Sequence, residues 1–162
     1  MSIQVLQGRS GADVRRLLDA LPDWFGDPAA IDNYVSAADD LQYESSLAVD
    51  DGLVLGVALT RRHFPEAAEL HLIAVHPDAR GRGIGRRLVD AVAFVLAADG
   101  CTLLSVHTVG PSFHHEPYAQ TRAFYRHVGF TPLEEHVGLE WPGPTLILVR
   151  PLRSVRTEAP LQ

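Results

Sequence analysis

Apolar residues recur along this chain with two periods, and the period changes at identifiable places. From Ala12 to Leu21 they stand at Val14, Leu17, Leu18 and Leu21, the spacing of one helical face, and Pro22 ends the run. Asp27 and Pro28 have the form of an N-cap and first-turn pair for a second helix through about Ala38, with Ile31, Tyr34 and Val35 inward. Ile3 to Leu6 reads as a short strand before the first helix. Leu47 to Val49 and Leu53 to Thr60 read as strands joined by Asp50-Asp51-Gly52, a hairpin signal. Glu69 to Val75 is the next strand, and its alternation puts Glu69, His71, Ile73 and Val75 on one side unless a bulge shifts the register. Beyond Gly85 the helical period returns, with Leu88, Val89, Val92, Val95 and Leu96 on a core face and Gly100 as C-cap. Thr102 to Val109 is a strand, Gly110 to Pro117 a loop, and Tyr118 to about His127 a helix stopped by Gly129. A final strand pair ends with Thr145 to Val149.

The most distinctive segment interrupts this pattern. Arg80, Gly81, Arg82, Gly83, Ile84 and Gly85 join a strand to a helix. The glycines let successive amides face one way, and the first helical turn adds unpaired donors and a positive dipole end, so the segment suits an anionic phosphate ester. A dinucleotide fingerprint starting at Gly81 and Gly83 needs a glycine where Arg86 stands, and the Walker pattern needs a Gly-Lys-Ser/Thr that the chain lacks.

At 162 residues the chain has the size of one domain, here expected over residues 1–152 with a loose tail at 153–162. No apolar run is long enough to cross a bilayer, and the start of the chain lacks the form of a secretory signal, so no membrane partner and a cytoplasmic location are expected. The single cysteine, Cys101, sits in strand context and reads as packing. The net charge of −6 disfavours a nucleic-acid partner. Residues 1–51 carry ten acids against three arginines and the remainder ten against eleven, so an anionic ligand would meet the less acidic part.

Arg80 to Gly85, with Pro77 before and an amphipathic helix after, resembles the pyrophosphate-binding motif of the GNAT acyl-CoA N-acyltransferases. Phe124-Tyr125-x-x-x-Gly129-Phe130 is similar to the second signature of that family, and the resemblance covers about residues 3 to 152. It implies an α/β fold of the α+β type: a mixed, mostly antiparallel sheet of six to seven strands, about four helices, and a splay between the fourth and fifth strands. It also implies acetyl-CoA as co-substrate, a small-molecule or peptide amine as acceptor, and direct attack in a ternary complex, with a small-molecule amine favoured. The chain is compatible with a homodimer.

The same resemblance distributes roles. Arg80, Arg82 and Arg86, with the amides from Arg80 to Arg86, Gly81, Gly83, Ile84 and Gly85 among them, would hold the pyrophosphate. Ile73, Ala74 and Val75 would meet the pantetheine arm, with the Val75 amide facing the oxyanion. Glu69 would be the general base, directly or through water, and Tyr125 the general acid for the departing thiolate. The other readings are a solvated strand-start residue for Glu69 and aromatic core for Tyr125. Many members carry asparagine and alanine where this chain has Tyr118 and Thr121, so contacts to the pantetheine or adenosine part differ here. With Leu21 to Gly26, these positions resemble a subgroup largely without assigned substrates.

His114-His115-Glu116 lacks the spacing of a zinc pair, and no metal is expected. His71 and His107 read as hydrogen-bonded strand residues able to relay a proton, and Trp24 and Trp141 as packing residues or pocket walls. Two alternatives stand beside the enzyme: a non-catalytic acyl-CoA-binding regulatory module, and an arginine-patch nucleic-acid binder.

Overall fold

The structure, a computed structural model, describes residues 2–153; of the tail expected at 153–162, all but its first residue lies outside them. In chain order the elements are β1 (Gln4–Gln7), α1 (Gly11–Asp19), α2 (Pro28–Asp39), β2 (Tyr43–Asp50), β3 (Leu53–Phe64), β4 (Ala67–Val75), α3 (Ile84–Ala98), β5 (Leu103–Val109), α4 (Glu116–His127), β6 (Thr131–Val137) and β7 (Pro144–Pro151). The strands form one seven-stranded sheet in the order β1-β2-β3-β4-β5-β7-β6, antiparallel except for β4 and β5. This is the mixed architecture of seven strands and four helices that the motifs imply.

Two cores lie on opposite faces of the sheet. Val14, Leu17 and Leu18 of α1 and Ile31 of α2 pack over Leu47, Val57 and Leu72 on one face. Ile84, Leu88, Val89 and Val92 of α3, with Tyr125 of α4, pack over Ala58, Leu70 and Val106 on the other. Local chemistry starts the helices where the sequence suggests: the Ser10 hydroxyl accepts from the Asp13 amide, and the Asp27 carboxylate from the Ala29 amide. Gly56 lets α3 approach the sheet, because a Cβ there would stand 3.0 Å from Leu88 Cδ1 and 3.2 Å from the Ala74 carbonyl oxygen. Val95, expected on the core face of α3, is 41% exposed, and the small Ala93 and Ala97 occupy the contact instead. β2 and β3 run further than their apolar cores, out to Tyr43 and Phe64, as a polar extension held by the ladder.

A bulge in β4 corrects the simple alternation. Leu59 pairs with Leu72 but Thr60 with Leu70, leaving His71 as the extra residue. Ala68 and Leu70 therefore share the α3 face with Ile73 and Val75, whereas Leu72 and Ala74 turn to the α1 face. Glu69 and Val75 consequently stand on opposite faces, not on one. β4 pairs in parallel with β5 only from Ala67↔Leu103 to Leu70↔Val106, so the last parallel pair falls just before the bulge. Beyond it β4 stays with β3 as far as Val75, and β5 stays with β7 as far as Val109. The facing edges of His71–Val75 and His107–Val109 are left unpaired, which is the splay between the fourth and fifth strands.

Candidate active site

The phosphate-loop segment lies at the mouth of this splay, where α3 begins. Gly81 and Gly83 adopt left-handed backbone, with φ of 78° and 73°, and Gly83 caps α3 without a side-chain acceptor. The Arg80 amide donates to Pro77 O at 3.4 Å and the Arg87 amide to Gly83 O at 3.1 Å. Among the described residues no carbonyl or side chain accepts from the amides of Gly81 to Arg86 lying between them. The donor set is thus one residue shorter than expected, because the turn before it uses the Arg80 amide.

The arginines are mostly engaged elsewhere. Arg82 Nη2 donates to Asp50 Oδ2 at 2.7 Å, Arg86 Nη2 to His127 O at 3.3 Å, and the Arg80 guanidinium lies 4.3 Å from the Trp24 ring centre. Donors presented to an anion at this loop are therefore main-chain groups first.

Register identifies a second set of free donors. The His76 amide donates to Leu55 O at 2.8 Å, which makes Gly56↔Val75 a pair without direct backbone bonds. Val75, and by the same alternation Ile73, thus point their N–H and C=O groups away from β3 and toward the open edge, while Ala74 bonds across to Val57. Of the three residues expected to meet an extended ligand, two present main-chain groups to the splay.

On the α1 face a polar cavity of about 230 Å³ opens beside the same edge. Glu69 lies in it, with Oε1 2.8 Å from His63 Nε2 and Oε2 3.9 Å from His71 Nδ1. The His71 ring foremost, with His63 and His107, lowers the Glu69 carboxyl pKa to about 2 against the opposing effect of burial. His107 Nδ1 stands 2.6 Å from Glu140 Oε1, and that contact raises the imidazole above its ordinary 6.5. Ligand-type atoms of Glu69, His107 and Glu140 all lie within 4.8 Å of one another. Tyr34 of α2 closes the cavity, its ring 5.3 Å from His71, and burial pushes its phenol up to about 12.

Tyr125 is buried on the opposite face between Phe124 and Phe130, with ring centres 5.6 Å away in each case. Burial, then the Tyr34 and Tyr118 phenols, raises its pKa far above the usual value. A phenol so placed is protonated throughout the neutral range. Tyr118 and Thr121 bind protein: the Tyr118 hydroxyl donates to Trp24 O at 2.9 Å, and Trp24 Nε1 donates to Thr121 Oγ1 at 2.9 Å and to Pro117 O at 3.1 Å. Trp24 therefore braces α4 against the α1–α2 loop and does not line the Glu69 cavity; neither does Trp141, whose Nε1 donates to Pro144 O at 3.0 Å. Cys101 is fully buried, but in the connection between α3 and β5 and not in a strand, with its Sγ 3.2 Å from Glu66 O.

Sequence reasoning treated His107 as a structural relay and did not find His63, Arg61 or Glu140 at this site. Glu140 lies between β6 and β7, where no periodicity or motif marks it, and the other two sit on the polar extension of β3.

The comparisons with known proteins agree with the motifs. Residues 42–132 match the acetyltransferase (GNAT) domain. Over 92 residues, 56% of this chain, it is 37% identical to a mycothiol acetyltransferase of Beutenbergia cavernae, of whose length that match spans 29%. A structure from Desulfovibrio desulfuricans assigned to the GNAT family superposes with a TM-score of 0.83 at 22% identity, covering 94% of this chain and all of the other. A GNAT family acetyltransferase from Elizabethkingia anophelis with acetyl-CoA bound gives 0.71 at 18% identity, covering 93% and 98%. Among the described residues no helix is long and apolar enough to cross a membrane.

Proposed function

We propose, from the premise that this chain belongs to the GNAT acetyltransferase family, that it transfers an acetyl group from acetyl-CoA to a small primary amine by direct attack in a ternary complex. The observation that carries this reading is the row of unclaimed amides from Gly81 to Arg86 at the head of α3, one turn beyond the open β4 edge. The amides hold the diphosphate, and the Ile73 and Val75 main-chain groups hydrogen-bond the pantetheine arm as an added strand would.

The acceptor lies in the Glu69 cavity. A primary amine of pKa about 10 arrives protonated. The Glu69 carboxylate, ionised throughout the neutral range, holds the ammonium, directly or through water. Of the two groups His107 has the greater proton affinity, and it carries the proton away. The freed nitrogen forms a bond to the thioester carbonyl carbon, whose oxygen gains charge opposite the Val75 N–H. The carbon–sulfur bond then breaks: Tyr125 passes its proton to the departing thiolate, whose conjugate acid has a pKa of about 8.5, and the second proton shed by the acylated nitrogen restores the phenol. Because burial makes this phenol a weak acid, it acts by relay, receiving a proton as it gives one, and never as a free phenolate.

Calorimetry with acetyl-CoA, followed by release of free CoA thiol in the presence of amines, tests the reading. Saturable binding and amine-dependent thiol release are expected. Binding without release for any amine class would leave a regulatory acyl-CoA-binding module, and absence of binding would remove the assignment. Tyr125→Phe is expected to lower kcat about a hundredfold with little change in acetyl-CoA affinity; an unchanged kcat would remove Tyr125 from the mechanism.

A further inference from the structure

We propose that the acceptor is a small zwitterion, an amino acid or a molecule of similar form, whose ammonium group sits between Glu69 and Glu140 and whose carboxylate is bound by Arg61. This rests on the acetyl-transfer reading above and narrows its substrate class.

The inference begins from a cation that the protein leaves unused. Arg61 sits on the extended part of β3, opposite Tyr43 on β2 and Glu69 on β4, so the three form one row across the sheet. Its guanidinium lies 5.8 Å from the Tyr43 ring centre. Among the described residues it makes no hydrogen bond or ion pair. Its neighbour Arg62, on the other face of the strand, donates to Asp99 at 3.0 Å and to Pro65 O at 3.1 Å. The Arg61 row partner Glu69 is taken by His63 and His71, and Glu140 by His107. A planar fork of donors thus lines a cavity whose two carboxylates pair with histidines and not with Arg61, each keeping further acceptor positions.

Charge and size then select the ligand. The cavity is lined by two carboxylates, Glu69 and Glu140, and by Arg61, the cross-strand neighbour of Glu69, and polar groups dominate its lining. Its volume of about 230 Å³ lies below the about 300–1,000 Å³ typical of sites for drug-sized ligands. An ammonium fits the two carboxylates, and beside it, as close as the two charges of an amino acid, a carboxylate accepts two parallel bonds from the Arg61 guanidinium. The Tyr34, Tyr43 and His71 rings flank the space between and suit an apolar or aromatic side chain. A simple monoamine would satisfy the carboxylates alone. A large polyamine would bring further cations against Arg61.

Matched acceptors test this. L-leucine is compared with leucinamide and isoamylamine, and L-phenylalanine with its amide and phenethylamine, by acetyl-CoA-dependent thiol release. For each set the carboxylate-bearing member is expected to have a kcat/KM at least about tenfold above the others, the range of one charge-assisted contact. Arg61→Ala and Arg61→Gln are expected to bring that ratio close to one, and Arg61→Lys to restore part of it. Acetyl-CoA affinity, measured on each variant, reports that it is folded. Equal or better use of the uncharged partners by the native protein overturns the proposal, as does a ratio that persists in Arg61→Ala. Inertness of all six acceptors in a protein that binds acetyl-CoA also overturns it. Failure to bind acetyl-CoA is a different result, which removes the acetyl-transfer reading itself.

Discussion

The glycine-rich loop and the Glu69 cavity lie along one splay, and they are built in opposite ways. The loop is a single run, Gly81 to Arg86, whose functional groups are main-chain amides, while Arg82 and Arg86 secure neighbouring elements. The cavity is assembled from side chains contributed by α2, β2, β3, β4, β5 and the β6–β7 connection. A site made of amides tolerates side-chain changes but depends on backbone conformation. A site made of side chains depends on each residue and on the register that aligns them. The same coordinate frame therefore holds a local binding element and a non-local one.

That contrast can be attacked from both ends. The largest effect is expected at the cavity: Glu69→Gln removes the charge that holds the ammonium and should lower kcat/KM for the amine about a hundredfold, with acetyl-CoA affinity by calorimetry nearly unchanged. A comparable loss of cofactor affinity would show that loop and cavity are not separable.

Next is Gly83→Val, which forces a β-branched residue into left-handed backbone at a cost of about 1–2 kcal/mol or opens the loop. Because the added side chain has open space around it, the fold should persist while the acetyl-CoA Kd rises about tenfold. Arg82→Ala sharpens the comparison by its smaller effect. It should leave Kd within about threefold and instead lower stability by about 1 kcal/mol, since buried Asp50 loses its partner while the arginine itself is one-third exposed. A large loss of affinity without loss of stability would return the arginine to the diphosphate.

The smallest effect is a displacement along the pH axis. Glu140 raises the His107 pKa above 6.5, and a protonated imidazole cannot accept the amine proton, so kcat/KM should fall as pH drops through that value. Glu140→Gln removes the main cause and should move this acid limb to lower pH. Glu69, at about 2, stays ionised and adds no limb in the neutral range. An acid limb that stays in place in Glu140→Gln would separate His107 from proton transfer.

Much of the frame was legible because its causes are local. The Val14, Leu17, Leu18 and Leu21 stripe, the Asp27-Pro28 start, the glycines of the phosphate loop and the Tyr125 signature each act within a few residues, and the structure contains each of these elements. Val95 was misplaced because helical period alone does not say how wide the buried stripe is. The cavity was legible at Glu69 and, as candidate relays, at His71 and His107. His63, Arg61 and Glu140 are ordinary polar residues by any local criterion; Arg61 reaches the site by strand register, His63 through Glu69 and Glu140 through His107.

Alone, the order of residues determined the succession of helices and strands, the donor-rich turn and the family, since periodicity, capping and glycine conformation are properties of short segments. Tertiary structure decided which amides of β4 face outward, which face of the sheet Glu69 occupies, and that Arg61 remains unpaired beside it. The physical reason is that a one-residue bulge at His71 reverses every side chain beyond it. Such a bulge is set by packing on both faces of the sheet, and no single strand encodes it.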